Sequence, residues 1–152
     1  CGTGIHDVEL CKNDNINVYG IDIAENMISK AKVLHEERCN NECSCEFVIS
    51  DFSSMNFNDK YDGVLSLGVL EYIEDIVPFL KKMTDVSNKV VVASLPVKWN
   101  ILMPQRKVRY WMRNCPLYFY SESSIKKIIH EAGINNYSIL NLGRDYLLVL
   151  KV

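Results

Sequence analysis

The chain has 152 residues, 48% of them hydrophobic and 24% charged, with a formal net charge of −2. That length suits a single domain, and the balance is that of a globular chain able to bury a core. No apolar run approaches the roughly 18 residues of a membrane span, a signal peptide is not expected within the sequence, and the net charge argues against a general nucleic-acid binder.

Taken in chain order, the segments alternate between strand and helix patterns. Residues 17–23 (NVYGIDI) form a short apolar run with an acid near its end, which reads as a buried parallel strand. Ala24, Met27, Ile28, Ala31 and Leu34 then repeat at helical spacing. Residues 46–50 are the next strand, ending before Asp51, and residues 61–67 (YDGVLSL) another. Asp75 can cap a helix with Ile76, Phe79, Leu80 and Met83 on one face, in which Pro78 is tolerable because it falls in the first turn. Residues 89–95 (KVVVASL) are a β-branched strand that Pro96 stops. Ser121 caps a helix carrying Ile125, Ile128, Ile129 and Ala132, and Gly133 suits its C-terminus. Residues 137–142 and 146–152 are two final strands, joined closely enough for an antiparallel hairpin. The expected fold is α/β: a Rossmann-like, doubly wound, mostly parallel sheet with helices on both faces and a C-terminal antiparallel hairpin.

Four blocks carry a resemblance that covers nearly the whole chain. The first is Cys1-Gly2-Thr3-Gly4. Its glycines let backbone approach a ligand closely, and a helix N-terminus behind them offers free amides. The second, residues 18–23, carries Asp22 near its end, 18 residues after Gly4. An acid there suits a bidentate bond to two ribose hydroxyls; capping the helix that starts at Ala24 is the plainer role. The third, residues 48–52, brings Asp51 and Phe52, or alternatively an ordinary turn after a strand. The fourth, residues 61–75 (YDGVLSLGVLEYIED), is the most specific.

In this order and spacing the blocks resemble class I S-adenosylmethionine-dependent methyltransferases, nearest to the small-molecule group that includes quinone and tetrapyrrole enzymes. The resemblance implies S-adenosylmethionine as cofactor and methyl transfer to an O, N or C nucleophile of a small molecule. It implies that Gly2 and Gly4 wrap the methionine part and ribose, that Asp22 and Ile23 meet the ribose, and that Asp51 accepts from the adenine amino group. Phe52 or Met27 would cover the adenine, and Leu67 would stand beside the transferred methyl. The family's usual form has His where this chain has Tyr72. The family's first strand would precede Cys1, as the central strand of the sheet.

Glu71 and Tyr72 are the nearest candidates for acid–base work, with a pocket-lining or solvent-facing role as the plainer reading. Methyl transfer makes no catalytic residue mandatory, because alignment of nucleophile, methyl and sulfur carries much of the rate. A non-catalytic cofactor-binding module is the alternative to an enzyme. A nicotinamide-dependent reductase is disfavoured by the terminal hairpin.

Residues 86–121 contain six basic residues and no acid, so this stretch carries +6 and the remainder −8. Within it, residues 96–120 are too long for a plain connection and hold Trp99, Tyr110, Trp111, Tyr118, Phe119 and Tyr120. They read as a substrate insert, with Tyr72, Trp99 and Arg106 as candidates to meet an aromatic or anionic acceptor. A helix packed on the domain and a patch resting on an anionic membrane surface are the other two readings. Nucleic acid is not expected as a partner.

Cys39, Cys43 and Cys45 cluster, but their C-x3-C-x-C spacing fits no common zinc site, and a plain loop is the simpler reading. With a normal core in prospect, the thiols are expected to be reduced and the compartment cytoplasmic.

Overall fold

In the computed structural model of the chain, the described residues are 1–14, 16–39, 44–98 and 116–152. They divide into two compact units, Cys1–Asn56 and Phe57–Val152.

The first unit holds helix α1 (Ile5–Asp14), strand β1 (Val18–Asp22), helix α2 (Glu25–Cys39) and strand β2 (Cys45–Ile49). β1 and β2 pair in parallel, with Asp22 opposite Ile49. Ile28 and Ala31 of α2 pack on Phe47 of β2. The aromatic ring of Phe47 fits because Gly20 faces it: a Cβ at Gly20 would stand 2.6 Å from the ring. α2 runs five residues beyond the expected end at Leu34, since the polar residues that follow include no Gly or Pro to break it. α1 was not assigned from periodicity. Its fully buried side chains, Val8 and Cys11, form too narrow a stripe to stand out in the sequence.

The second unit contains β3 (Tyr61–Ser66), a single 3₁₀ turn (Leu70–Tyr72), α3 (Ile76–Asp85), β4 (Ser87–Pro96), α4 (Glu122–Glu131), β5 (Tyr137–Asn141) and β6 (Asp145–Lys151). The sheet order is β3-β4-β6-β5, with β3 and β4 parallel and the last two pairings antiparallel. The terminal hairpin is therefore as expected, turning at Gly143 with φ +81°. Alternate residues of β4 and β6 (Val91, Ala93, Leu95, Leu148 and Leu150) are fully buried, as are Leu80 of α3 and Ile129 of α4. Each Val, Leu or Ile among them contributes about 1.5–3 kcal/mol of burial energy.

Both helix starts expected in this unit form as predicted. Asp75 accepts from the amide of Val77 at 3.1 Å. Ser121 and Ser124 make a reciprocal capping box. β4 is longer than expected at both ends; Pro96 closes it from inside the strand rather than after it.

Among the described residues β1 pairs only with β2, and β3 only with β4. The reduced state expected of all thiols is corrected at one position: Cys39 is disulfide-bonded. A core of ordinary size removes the need for a disulfide framework, but a local bond requires only two suitably placed thiols. Cys43 lies outside the described residues, and Cys45 is a free thiol.

Candidate functional site

In the first unit the site is built at the C-terminal end of β1. The amide of Gly2 donates to Asp22 Oδ2 at 2.8 Å, and the amide of Ala24 donates to Oδ1 at 2.9 Å. The Cys1 nitrogen donates to the Ile21 carbonyl at 2.7 Å. Partial burial alone would raise the Asp22 pKa. The Ala24 and Gly2 amides oppose it, and the carboxyl is held below its ordinary value. An ionised carboxylate has roughly four lone-pair sites. Two amides leave capacity for further donors such as a diol. The helix-capping role and the ligand role are thus compatible in one side chain.

The two loop glycines differ. Gly2 has φ +59° and open space where a side chain would be. Gly4 has φ +74°, and a Cβ there would meet the Ala31 Cβ at 2.7 Å. Gly2 leaves room for an outside group, whereas Gly4 is required by the close approach of the loop to α2. Ile23 follows Asp22 and is 74% exposed. Met27 is half-buried one turn into α2.

β2 brings Asp51 beside this point. The Ser50 amide donates to the Asp22 carbonyl at 3.0 Å, which joins the two strand ends. Asp51 is exposed, and its Oδ1 accepts from the Ser53 amide at 2.8 Å. Its backbone carbonyl accepts from the Ser54 and Met55 amides. This is the turn that a plain reading gives, and it leaves the carboxylate at the surface. Phe52 is half-buried within it.

In the second unit, Leu67 follows β3 and is half-buried. Gly68 has φ +69°, and its amide donates to Ser94 Oγ at 2.8 Å, so β4 holds the turn. Ser66, the last residue of β3, has a buried hydroxyl with no hydrogen-bond partner among the described residues. Glu71 and Tyr72 lie on the 3₁₀ turn. Glu71 is buried at 6% exposure, so its solvent-facing reading is corrected; Tyr72 is exposed. Solvent-facing and pocket-lining were both open for Glu71; its place in the 3₁₀ turn buries it.

Trp99 and Arg106 lie outside the described residues. The end of the insert is described, and Tyr120 is not a wall of an open pocket. It is buried, and its hydroxyl donates to the Leu70 carbonyl at 3.3 Å. Sequence reasoning missed this tie because the partners are 50 residues apart. Among the described residues no group of three or more His, Cys, Asp or Glu could hold a metal ion.

A parallel β1–β2 pair ending in two acids, a glycine loop bonded to the first of them, and a mixed sheet closed by an antiparallel hairpin define a Rossmann-like methyltransferase fold. Residues 1–89 match the family described as Methyltransferase domain, and the chain belongs to that family.

The solved structure of magnesium protoporphyrin IX methyltransferase from Synechocystis PCC 6803, with bound S-adenosylhomocysteine, is similar at TM-score 0.78 and 22% identity. That likeness covers 99% of this chain and 70% of the other. An S-adenosylmethionine-dependent methyltransferase from Clostridium acetobutylicum ATCC 824 is similar at TM-score 0.73 and 14% identity, covering 100% and 81%. Phosphoethanolamine N-methyltransferase 3 of Arabidopsis thaliana is 33% identical over 76 residues, which are 49% of this chain and 15% of that protein. The corresponding Triticum aestivum enzyme is 30% identical over 76 residues, or 14% of its length. The match therefore spans only about one seventh of these relatives. The cofactor of the family assignment is S-adenosylmethionine, as expected from the four blocks.

Proposed function

We propose that the protein transfers the methyl group of S-adenosylmethionine to an O, N or C nucleophile of a small molecule, with both units contributing to one methyltransferase domain. The observation that carries this reading is Asp22: an ionised carboxylate at a strand end, fixed by the Gly2 and Ala24 amides and retaining acceptor capacity. The residues present fit the cofactor. Asp22 would take the ribose hydroxyls, with Gly2 leaving space beside it and Ile23 exposed next to it. Asp51 and Phe52, on the neighbouring strand end, would take the adenine, with Met27 against it.

When bound, the cofactor supplies an electrophilic methyl on a sulfonium; the chain's own task is to hold and orient. Such alignment can supply roughly 7–11 kcal/mol of the barrier. Leu67 and the Gly68 turn would shape the acceptor side. Tyr72 is the exposed candidate for contact with the acceptor or its proton; Glu71, being buried, is better suited to shaping the turn than to meeting bulk substrate.

The acceptor is proposed to be a small anionic or aromatic molecule. Support comes from the acid-free basic stretch at residues 86–121. The similar proteins named above act, by their names, on phosphoethanolamine and on magnesium protoporphyrin IX, both of which carry anionic groups. A water-soluble protein working in the cytoplasm is part of the same reading; no described helix is long and apolar enough to cross a membrane.

Calorimetry with S-adenosylhomocysteine tests the cofactor half. Binding with micromolar affinity is expected, and the absence of both heat and thermal shift would remove the proposal. Transfer of labelled methyl to phosphoethanolamine and to a porphyrin carboxylate tests the acceptor half. Cofactor binding without transfer to a broad acceptor panel would favour the non-catalytic module instead.

A further inference from the structure

The 3₁₀ turn that carries Glu71 and Tyr72 is poorly secured by its own bonds. It begins at Val69 with no side-chain cap. Tyr72 donates to the Val69 carbonyl at 3.0 Å, but the next bond, from Ile73 to Leu70, is stretched to 3.5 Å. A single turn closed this way leaves carbonyls at its end needing outside donors.

Those donors come from the far side of the insert. Tyr118 donates its amide to the Glu71 carbonyl at 2.8 Å. Tyr120 donates its hydroxyl to the Leu70 carbonyl from a buried position. Tyr120 is itself anchored to the end of β4. Its amide donates to the Pro96 carbonyl at 2.9 Å, and its carbonyl accepts from Lys98 at 2.7 Å. A rigid strand end, a buried phenol and the turn thus form one connected chain of contacts. Burial, and secondarily the neighbouring Tyr118, push the Tyr120 pKa up to about 12, so the phenol remains a donor throughout the working pH range.

We propose that Tyr120 is a positioning residue: its phenol, held by β4, fixes the turn that presents Tyr72 on the acceptor side. The inference rests on the methyltransferase reading for its purpose, and on the Tyr120–Leu70 contact alone for its geometry. It differs from a lid role, because Tyr120 meets the turn from a buried position, through the Leu70 carbonyl.

The test is Tyr120→Phe, which deletes one hydroxyl and keeps the ring. Amide hydrogen exchange is followed by NMR at Tyr72, Ile73 and Tyr118, together with the fluorine resonance of 3-fluorotyrosine placed at position 72. Exchange at those three amides is expected to rise about three- to tenfold, the worth of one hydrogen bond. The fluorine signal is expected to broaden or split. Exchange at Leu95 and Leu148 in the sheet, and the affinity for S-adenosylhomocysteine, should stay within twofold. Tyr118→Phe is the control: its bond to Glu71 comes from the backbone, so exchange and the fluorine signal are expected to be unchanged.

Unchanged exchange at Tyr72 and Ile73 in Tyr120→Phe would overturn the proposal, as would a rise no larger than that in the sheet. Failure of the unsubstituted protein to bind S-adenosylhomocysteine would instead strike the methyltransferase reading and leave the Tyr120 contact as measured.

Discussion

The two units hold their candidate residues by different means. In the first, Asp22 is secured by amides two residues after it and 20 before it, all at the end of one strand and the loop beside it. In the second, the turn bearing Glu71 and Tyr72 is secured by Tyr118 and Tyr120, across an insert of about two dozen residues. A site made of a short loop and a strand end leaves its mark as a motif. A site braced from a distant segment leaves only a gap of unexplained length and a few aromatic residues.

Breaking the first unit's arrangement is expected to have the largest effect. Asp22→Ala removes the acceptor of two amides and the proposed partner of the ribose. At about 1.5–3 kcal/mol for a hydrogen bond to a charged group, affinity for S-adenosylhomocysteine should fall on the order of 100-fold by calorimetry. Unchanged affinity would separate Asp22 from cofactor binding and leave it a helix cap. Gly4→Ala comes next. The new methyl would lie 2.7 Å from the Ala31 Cβ, at a positive φ. Overpacking costs about 1–3 kcal/mol and the left-handed backbone about 1–2 kcal/mol. Urea denaturation should show a loss of at least about 2 kcal/mol. Gly2→Ala pays only the backbone term, about 1 kcal/mol, because nothing stands within 4 Å of the added carbon. Equal losses at Gly2 and Gly4 would contradict the division of roles between them.

In the second unit, Ser66→Ala is expected to do the reverse. The Ser66 hydroxyl is buried without a partner among the described residues. Deleting a buried unsatisfied group relieves its desolvation cost, so stability should stay level or rise by up to about 1 kcal/mol. A clear loss in urea denaturation would mean that the hydroxyl is satisfied in solution.

Much of this was legible from residue types. Asp75 and Ser121 announced their helices because short polar side chains satisfy free amides wherever they precede an apolar helical pattern. Gly143 marked the hairpin because few other residues take positive φ there without strain. Asp22 and Asp51 could be placed because both end apolar runs of strand length. What stayed hidden depends on tertiary contact. Nothing local distinguishes Gly4, needed for packing against Ala31, from Gly2, which is not. Glu71 reads as a surface residue by type, and only the extra turn buries it. Cys39 reads as a loop thiol, although it ends a helix that continues past Leu34.

The pH dependence of stability gives the last and smallest test, and it sets two acids of the first unit against each other. Asp22 has a folded pKa below its ordinary 3.8. A depressed carboxylate contributes stability that is present above 3.8 and is lost as the pH falls through the lower folded value. Asp7, in the first turn of α1, has a pKa raised from 3.8. Burial is the largest cause, and its own backbone amide and His6 only partly offset it. A raised carboxylate works with the opposite sign: stability falls as the pH rises from 3.8 through the folded value, and the deficit persists at neutral pH. Asp7→Asn should therefore raise the melting temperature at pH 7, with the gain disappearing below pH 3.8, whereas Asp22→Asn should lower it at pH 7 with the loss shrinking in acid. If both substitutions shifted stability the same way at pH 7, the contrast between a carboxylate held charged by amides and one penalised by burial would fail. The glycine loop would then not be the source of the charge stabilisation at Asp22.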